Sequence, residues 1–140
     1  MLANLLLAYT NVYGVRVVCE LEQQNRWLAS WVLFGSILAS FGYHLVENQK
    51  HQMVGIGYGG EPIWNSIWLN LDRVLAILSM ITLVHWEGVI AYWPYCLASL
   101  ACMIISETIF RQEKWCYLVF HTIWHLSAFH LAYLFVLVDV

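Results

Sequence analysis

Charge is scarce in this chain, with six basic and nine acidic side chains among 140 residues and a net charge of −3 with neutral histidine. No basic stripe is available to neutralise phosphates, which excludes a nucleic-acid partner. No Cys-x-x-Cys pair occurs either. Cys19, Cys96, Cys102 and Cys116 stand singly, so neither a dithiol redox motif nor a zinc knuckle is indicated. The opening apolar run lacks the basic segment that precedes a secretory signal, and Asn11-Val-Tyr-Gly interrupts it. That favours a retained span over a cleaved leader.

Apolar residues are abundant. They make up 61% of the chain against 11% charged, and the mean hydropathy is +0.66. Tryptophan and tyrosine occur eight times each, many near the ends of apolar runs, where amphipathic rings settle at a membrane interface. The expected fold class is all-α: a single-domain, polytopic transmembrane helical bundle. Five runs are predicted, at about 2–18, 27–46, 63–86, 89–106 and 116–138, each close to the ~20 residues that cross a bilayer. Between them lie a short polar connection (Glu20 to Arg26), a glycine-rich loop with Lys50 and His51 (Glu47 to Glu61), a turn around His85 and Gly88, and a polar loop from Glu107 to Lys114. Pro62 suits the first turn of the third run, because a first-turn residue needs no backbone donor.

The chemistry centres on His121-Thr-Ile-Trp-His125 in the last run. Four residues of helix bring two side chains onto one face, about 6 Å apart at Cβ, which suits two imidazoles on one cation. A catalytic zinc takes roughly three protein ligands and keeps one position open, so a third ligand is needed. Successive spans alternate direction. The end of the second run, the start of the third and the start of the fifth therefore share one membrane face. This puts His44 and Ser40 of the second run, Asp72 of the third, and His121 and His125 of the fifth at one depth. His85 falls at the opposite face, His51 lies in a loop, and His130 is rotated about 140° from His125 on a helix of 3.6 residues per turn.

The residue types then define roles. His44, His121 and His125 are the expected Zn²⁺ ligands. Asp72, an acceptor when ionised, is the expected general base for a water, and Ser40 the expected donor to an oxyanion. A site between helices near the interface suits a substrate with a polar head and an acyl chain, so the class implied is metal-assisted hydrolysis of a lipid amide or ester. Each signal has a plainer reading. Paired histidines on a membrane helix can be hydrogen-bonded core residues, Asp72-Arg73 can be an interfacial anchor, and Ser40 can be a small residue at a helix contact.

The segment from Arg26 to His44, ending Ser40-Phe-Gly-Tyr-His44, resembles the second-helix segment of alkaline ceramidases, in which a serine precedes a histidine by four. His121-Thr-Ile-Trp-His125-Leu-Ser-Ala-Phe-His resembles their final-helix H-x-W-W-H segment, and Leu71-Asp72 is similar to their third-helix aspartate. Together these resemble the CREST superfamily of membrane hydrolases, which includes the adiponectin-receptor, haemolysin III and myomaker families. The resemblance implies zinc at His44, His121 and His125, with Asp72 and Ser40 beside the reacting water, and a ceramide-like substrate in endoplasmic-reticulum or Golgi membranes. That family usually has seven spans where five runs are counted here, so a neighbouring copy in a homo-oligomer is one way to replace the missing helices. A CREST-like receptor or remodelling protein with structural or vestigial zinc is the alternative from the same resemblance. A purely structural membrane protein is the other.

Overall fold

The structure is a computed structural model and describes residues 2–46, 63–84, 86–109 and 113–138. Within these the chain is all-helical: α1 (Leu2–Thr10), α2 (Val12–Gln23), α3 (Trp27–Val46), α4 (Ile63–Leu83), α5 (Trp86–Thr108) and α6 (Lys114–Val138). The glycine-rich loop with His51, and His85, lie outside the described residues.

The first predicted run is not one uniform helix, and it does not stop at Val18. α1 and α2 meet at Asn11, which keeps helical dihedrals. The backbone tightens there to three-residue bonds, Asn11 N to Ala8 O at 3.2 Å and Gly14 N to Asn11 O at 3.0 Å. The Asn11 amide also reaches the Leu7 and Ala8 carbonyls, both at 3.4 Å. A short amide side chain that bonds the local backbone competes with the regular ladder, so one rod forms with a break in it. The rod continues through Glu20-Leu-Glu-Gln23, good helix formers despite their polarity, and shortens the polar connection to Gln24–Arg26. The stop is a left-handed Asn25 at φ 58°. Arg26 N bonds Leu21 O at 2.9 Å and Asn25 N bonds Glu22 O at 3.0 Å, the Schellman pair that satisfies the last carbonyls of a helix.

α5 also runs further than predicted, to Thr108, which moves Glu107 from the expected loop onto the helix. Its first turns are distorted at Tyr92 (φ −116°, ψ 18°), two residues before Pro94, whose ring crowds the preceding turn and removes a donor.

Side-chain burial runs opposite to that of a soluble bundle. Leu28 is 74% exposed and Ile81 and Ile90 are each 69% exposed, while Thr10, Asn11, Ser30, Ser40, Ser106 and the three candidate histidines are buried. Apolar groups cost nothing against lipid tails, and polar groups must find partners inside. Among the described residues three helices are long and apolar enough to cross a membrane, over Trp27–Leu45, Gly88–Thr108 and Trp115–Leu137. The chain therefore has the character of an integral membrane protein.

The packing order places the site. The α1–α2 rod touches both α3 and α6, α4 lies against α3 and reaches α6, and α5 lies along α6. The rod, α3, α4 and α6 thus form a ring, with α3 and α6 on its diagonal. Val17, Val18 and Leu21 of the rod pack with Ala29, Leu33 and Ile37 of α3 and Val136 of α6. Arg16, placed in an apolar run, donates to the Tyr133 hydroxyl at 2.7 Å and sits 4.2 Å above that ring, which lets its charge face a π-system. Ser99 and Ser127 meet at 2.7 Å between α5 and α6, where small side chains let membrane helices approach.

Candidate metal centre

Three of the predicted residues come together in the ring. His44 of α3 and His121 and His125 of α6 are all buried, and each offers one ring nitrogen within 4.8 Å of those of the other two. Ring centroids lie 5.2 Å apart for His44 and His121, 5.1 Å for His44 and His125, and 4.8 Å for His121 and His125. Among the described residues no Cα of α3 comes within 8 Å of a Cα of α6. The two helices therefore meet here through side chains, with imidazoles spanning the interior.

The three nitrogens lie close enough together that they could hold a metal ion. Nε2 of His44 and Nε2 of His125 are 3.4 Å apart. Two nitrogens bound tetrahedrally to zinc at 2.0–2.1 Å would stand about 3.3 Å apart. Imidazole is also a ligand type zinc favours. A half-buried carboxyl group stands beside the set: Glu107 Oε1 lies 3.1 Å from His121 Nδ1. It is placed off the line a hydrogen bond needs, and that oxygen has no hydrogen-bond partner. A carboxylate one ligand away from a dication offsets charge that three neutral imidazoles leave uncompensated.

Each α6 imidazole is held on its outer nitrogen. Thr10 Oγ1 lies 3.0 Å from His125 Nδ1, and Ser106 Oγ lies 3.3 Å from His121 Nδ1. Tyr117, one turn before His121 and almost fully buried, stacks on that imidazole with centroids 4.9 Å apart. Tyr43 tilts against His44 at 5.1 Å.

The other predicted site residues are placed as follows. Ser40 is buried on α3, one turn before His44. Asp72 is half-buried on α4 and engaged in an interaction. Among the described residues its carboxylate is not part of the cluster of ligand atoms that the three histidines form. His130 points elsewhere, with its Nδ1 3.2 Å from the Tyr13 hydroxyl at an exposed position. Sequence reasoning missed Thr10, Ser106 and Glu107. Thr10 stands in the first apolar run together with Asn4 and Asn11, and nothing in that run distinguished it from them. Ser106 and Glu107 stood at the edge of an expected loop, although the serine–acid pair at the depth of His121 was a usable signal.

No protein-family profile matches this chain, and no solved structure matches it. The chain is similar to an uncharacterised protein of Acanthamoeba polyphaga mimivirus, 28% identical over 123 residues that cover 75% of this chain and 80% of the viral one.

Proposed function

We propose that this protein is a zinc-dependent hydrolase of the membrane that cleaves a lipid amide of the ceramide type. The observation that carries the proposal is the convergence of three buried imidazoles from α3 and α6, with two Nε2 atoms 3.4 Å apart inside an apolar bundle. Intramembrane ionisable residues are costly and mark functional sites by default. The likeness of the Ser40–His44, Asp72 and His121–His125 segments to alkaline ceramidases supplies the substrate class. In this proposal the α1–α2 rod and α3 to α6 make five spans, and the site opens toward the interface, where a polar head and an acyl chain are both solvated.

Bound zinc would supply Lewis acidity toward the amide carbonyl and toward water. The protein's own residues do the rest. His44, His121 and His125 hold the ion. Asp72 orients a water and takes its proton as the water adds to the carbonyl carbon. Ser40 donates a hydrogen bond to the carbonyl oxygen as charge grows there. The C–N bond then breaks, the proton passes from Asp72 to the departing amine, and a fatty acid and an amine leave.

A second reading rests on the same 3.4 Å contact. One imidazole donating Nε2–H to the other would also account for that contact, as a long hydrogen bond, and the protein would then be structural. Purified protein analysed for metal, together with fatty-acid release from short- and long-chain ceramides, separates the two. Near one zinc per chain, and activity lowered about 100-fold or more in Asp72→Ala, a loss typical of removing a general base, supports the hydrolase. Zinc without any difference between wild type and Asp72→Ala defeats the catalytic assignment. No zinc in the wild-type protein favours the hydrogen-bonded pair.

A further inference from the structure

We propose that Thr10 and Ser106 are positioning residues that fix the tautomers of His125 and His121, so that both rings carry their proton on Nδ1 and leave Nε2 unprotonated. A neutral imidazole has one N–H, and the partner of one nitrogen decides what the other can do. Thr10 Oγ1 lies 2.6 Å from the Leu7 carbonyl, three residues earlier. A carbonyl cannot donate, so this contact consumes the single hydroxyl proton. Only lone pairs of Oγ1 then remain for His125 Nδ1 at 3.0 Å, and Nδ1 must donate.

The same arrangement recurs on another helix. Ser106 Oγ donates to the Met103 carbonyl, again three residues earlier, at 2.8 Å, and faces His121 Nδ1 at 3.3 Å. Glu107 Oε1, 3.1 Å from that nitrogen, adds negative charge on the side where the N–H lies. Two helices that are far apart in sequence thus impose one tautomer on two rings of α6. With both outer nitrogens occupied by N–H groups, each ring is left with Nε2 as its coordinating atom. Groups that bond the outer nitrogen of a metal-ligating histidine typically contribute 10–100-fold to metal affinity.

The tautomer assignment stands on the hydroxyl contacts alone, and its consequence for affinity rests on the zinc proposal, so the test has two arms. In the first, long-range proton–nitrogen NMR of metal-free protein with labelled histidine is assigned by the signals lost in His121→Asn and His125→Asn. Wild type is expected to show Nδ1–H at both rings. Thr10→Val is expected to give His125 a mixture of tautomers with His121 unchanged, and Thr10→Ser to restore the wild-type pattern. Nε2–H at either ring in the wild type, or Nδ1–H retained at His125 in Thr10→Val, overturns the proposal. In the second arm, zinc affinity is measured by chelator competition, and Thr10→Val and Ser106→Ala are each expected to weaken it about 10–100-fold, with Thr10→Ser close to wild type. Equal affinity in Thr10→Val and wild type overturns the positioning role. If wild type takes up no zinc, the metal proposal fails while the first arm still decides the tautomer.

Discussion

Replacing Gly14 with alanine tests how the rod is seated between its two neighbours. A Cβ at this position would stand 2.6 Å from Phe129 Cε1, 2.8 Å from Phe129 Cδ1 and 2.8 Å from Ile37 Cδ1. Carbon atoms pack comfortably at about 3.5–4.0 Å, so roughly 1 Å must be yielded toward α6 and α3 together. Neither side gives freely, since Ile37 is buried in the core cluster and Phe129 packs against that cluster. Overpacking of this kind costs about 1–3 kcal/mol, against a gain of at most about 1 kcal/mol from replacing a helical glycine. Gly35→Ala is the matched control, because its Cβ would meet Leu75 Cδ1 at an ordinary 3.5 Å and the propensity gain survives. The two variants should therefore differ by about 1–3 kcal/mol, or roughly 3–10 °C in Tm for a chain of this size. Gly14 also lies one helical turn from Thr10, whose bond to His125 is 3.0 Å long. A displacement near 1 Å takes that contact beyond hydrogen-bonding range, so zinc affinity should fall in Gly14→Ala and hold in Gly35→Ala. Thermal unfolding in detergent and chelator competition read the two effects. Gly14→Ala at least as stable as Gly35→Ala would refute the close three-helix fit.

Asn25→Ala should destabilise by up to about 1–2 kcal/mol, the left-handed cost that a short polar side chain offsets by bonding locally and alanine cannot, while Asn25→Gly, with no Cβ, is at least as stable as wild type; equal Tm values for the two would contradict the Schellman stop at φ 58°. Chelation should lower the wild-type Tm, since an ion present at 100–1,000 times its Kd stabilises by about 2.7–4.1 kcal/mol. His44→Ala, which removes the proposed α3 ligand, should unfold at the same temperature with and without chelator, and an equal chelator effect in both proteins would place the metal elsewhere.

The His121–His125 pair was legible because helical spacing is a local property. Four residues bring two side chains to one face whatever surrounds them. His44 was picked out in the sequence by counting alternating runs to its depth, and His85, set aside by the same count, lies outside the described residues. The all-helical character followed from long apolar runs, the inverted burial from having so few charges to place outside. Ser40 is buried one turn before His44.

Depth does not say which helices touch, and that only the packing decided. The α1–α2 rod lies between α3 and α6, which brings Thr10 to His125 across 115 residues of sequence, while the longer α5 brings Ser106 to His121 across 15. No periodicity links such pairs. A threonine that bonds its own carbonyl looks the same in sequence whether or not an imidazole stands beside it. What the sequence determined by itself was the set of three imidazoles that the structure brings together, because the spacing of His121 and His125 is fixed by helix geometry. What only the tertiary structure decided was which hydroxyls and which carboxylate face the outer nitrogens of His121 and His125, because hydrogen bonds reach about 3 Å and that precision comes from helix packing.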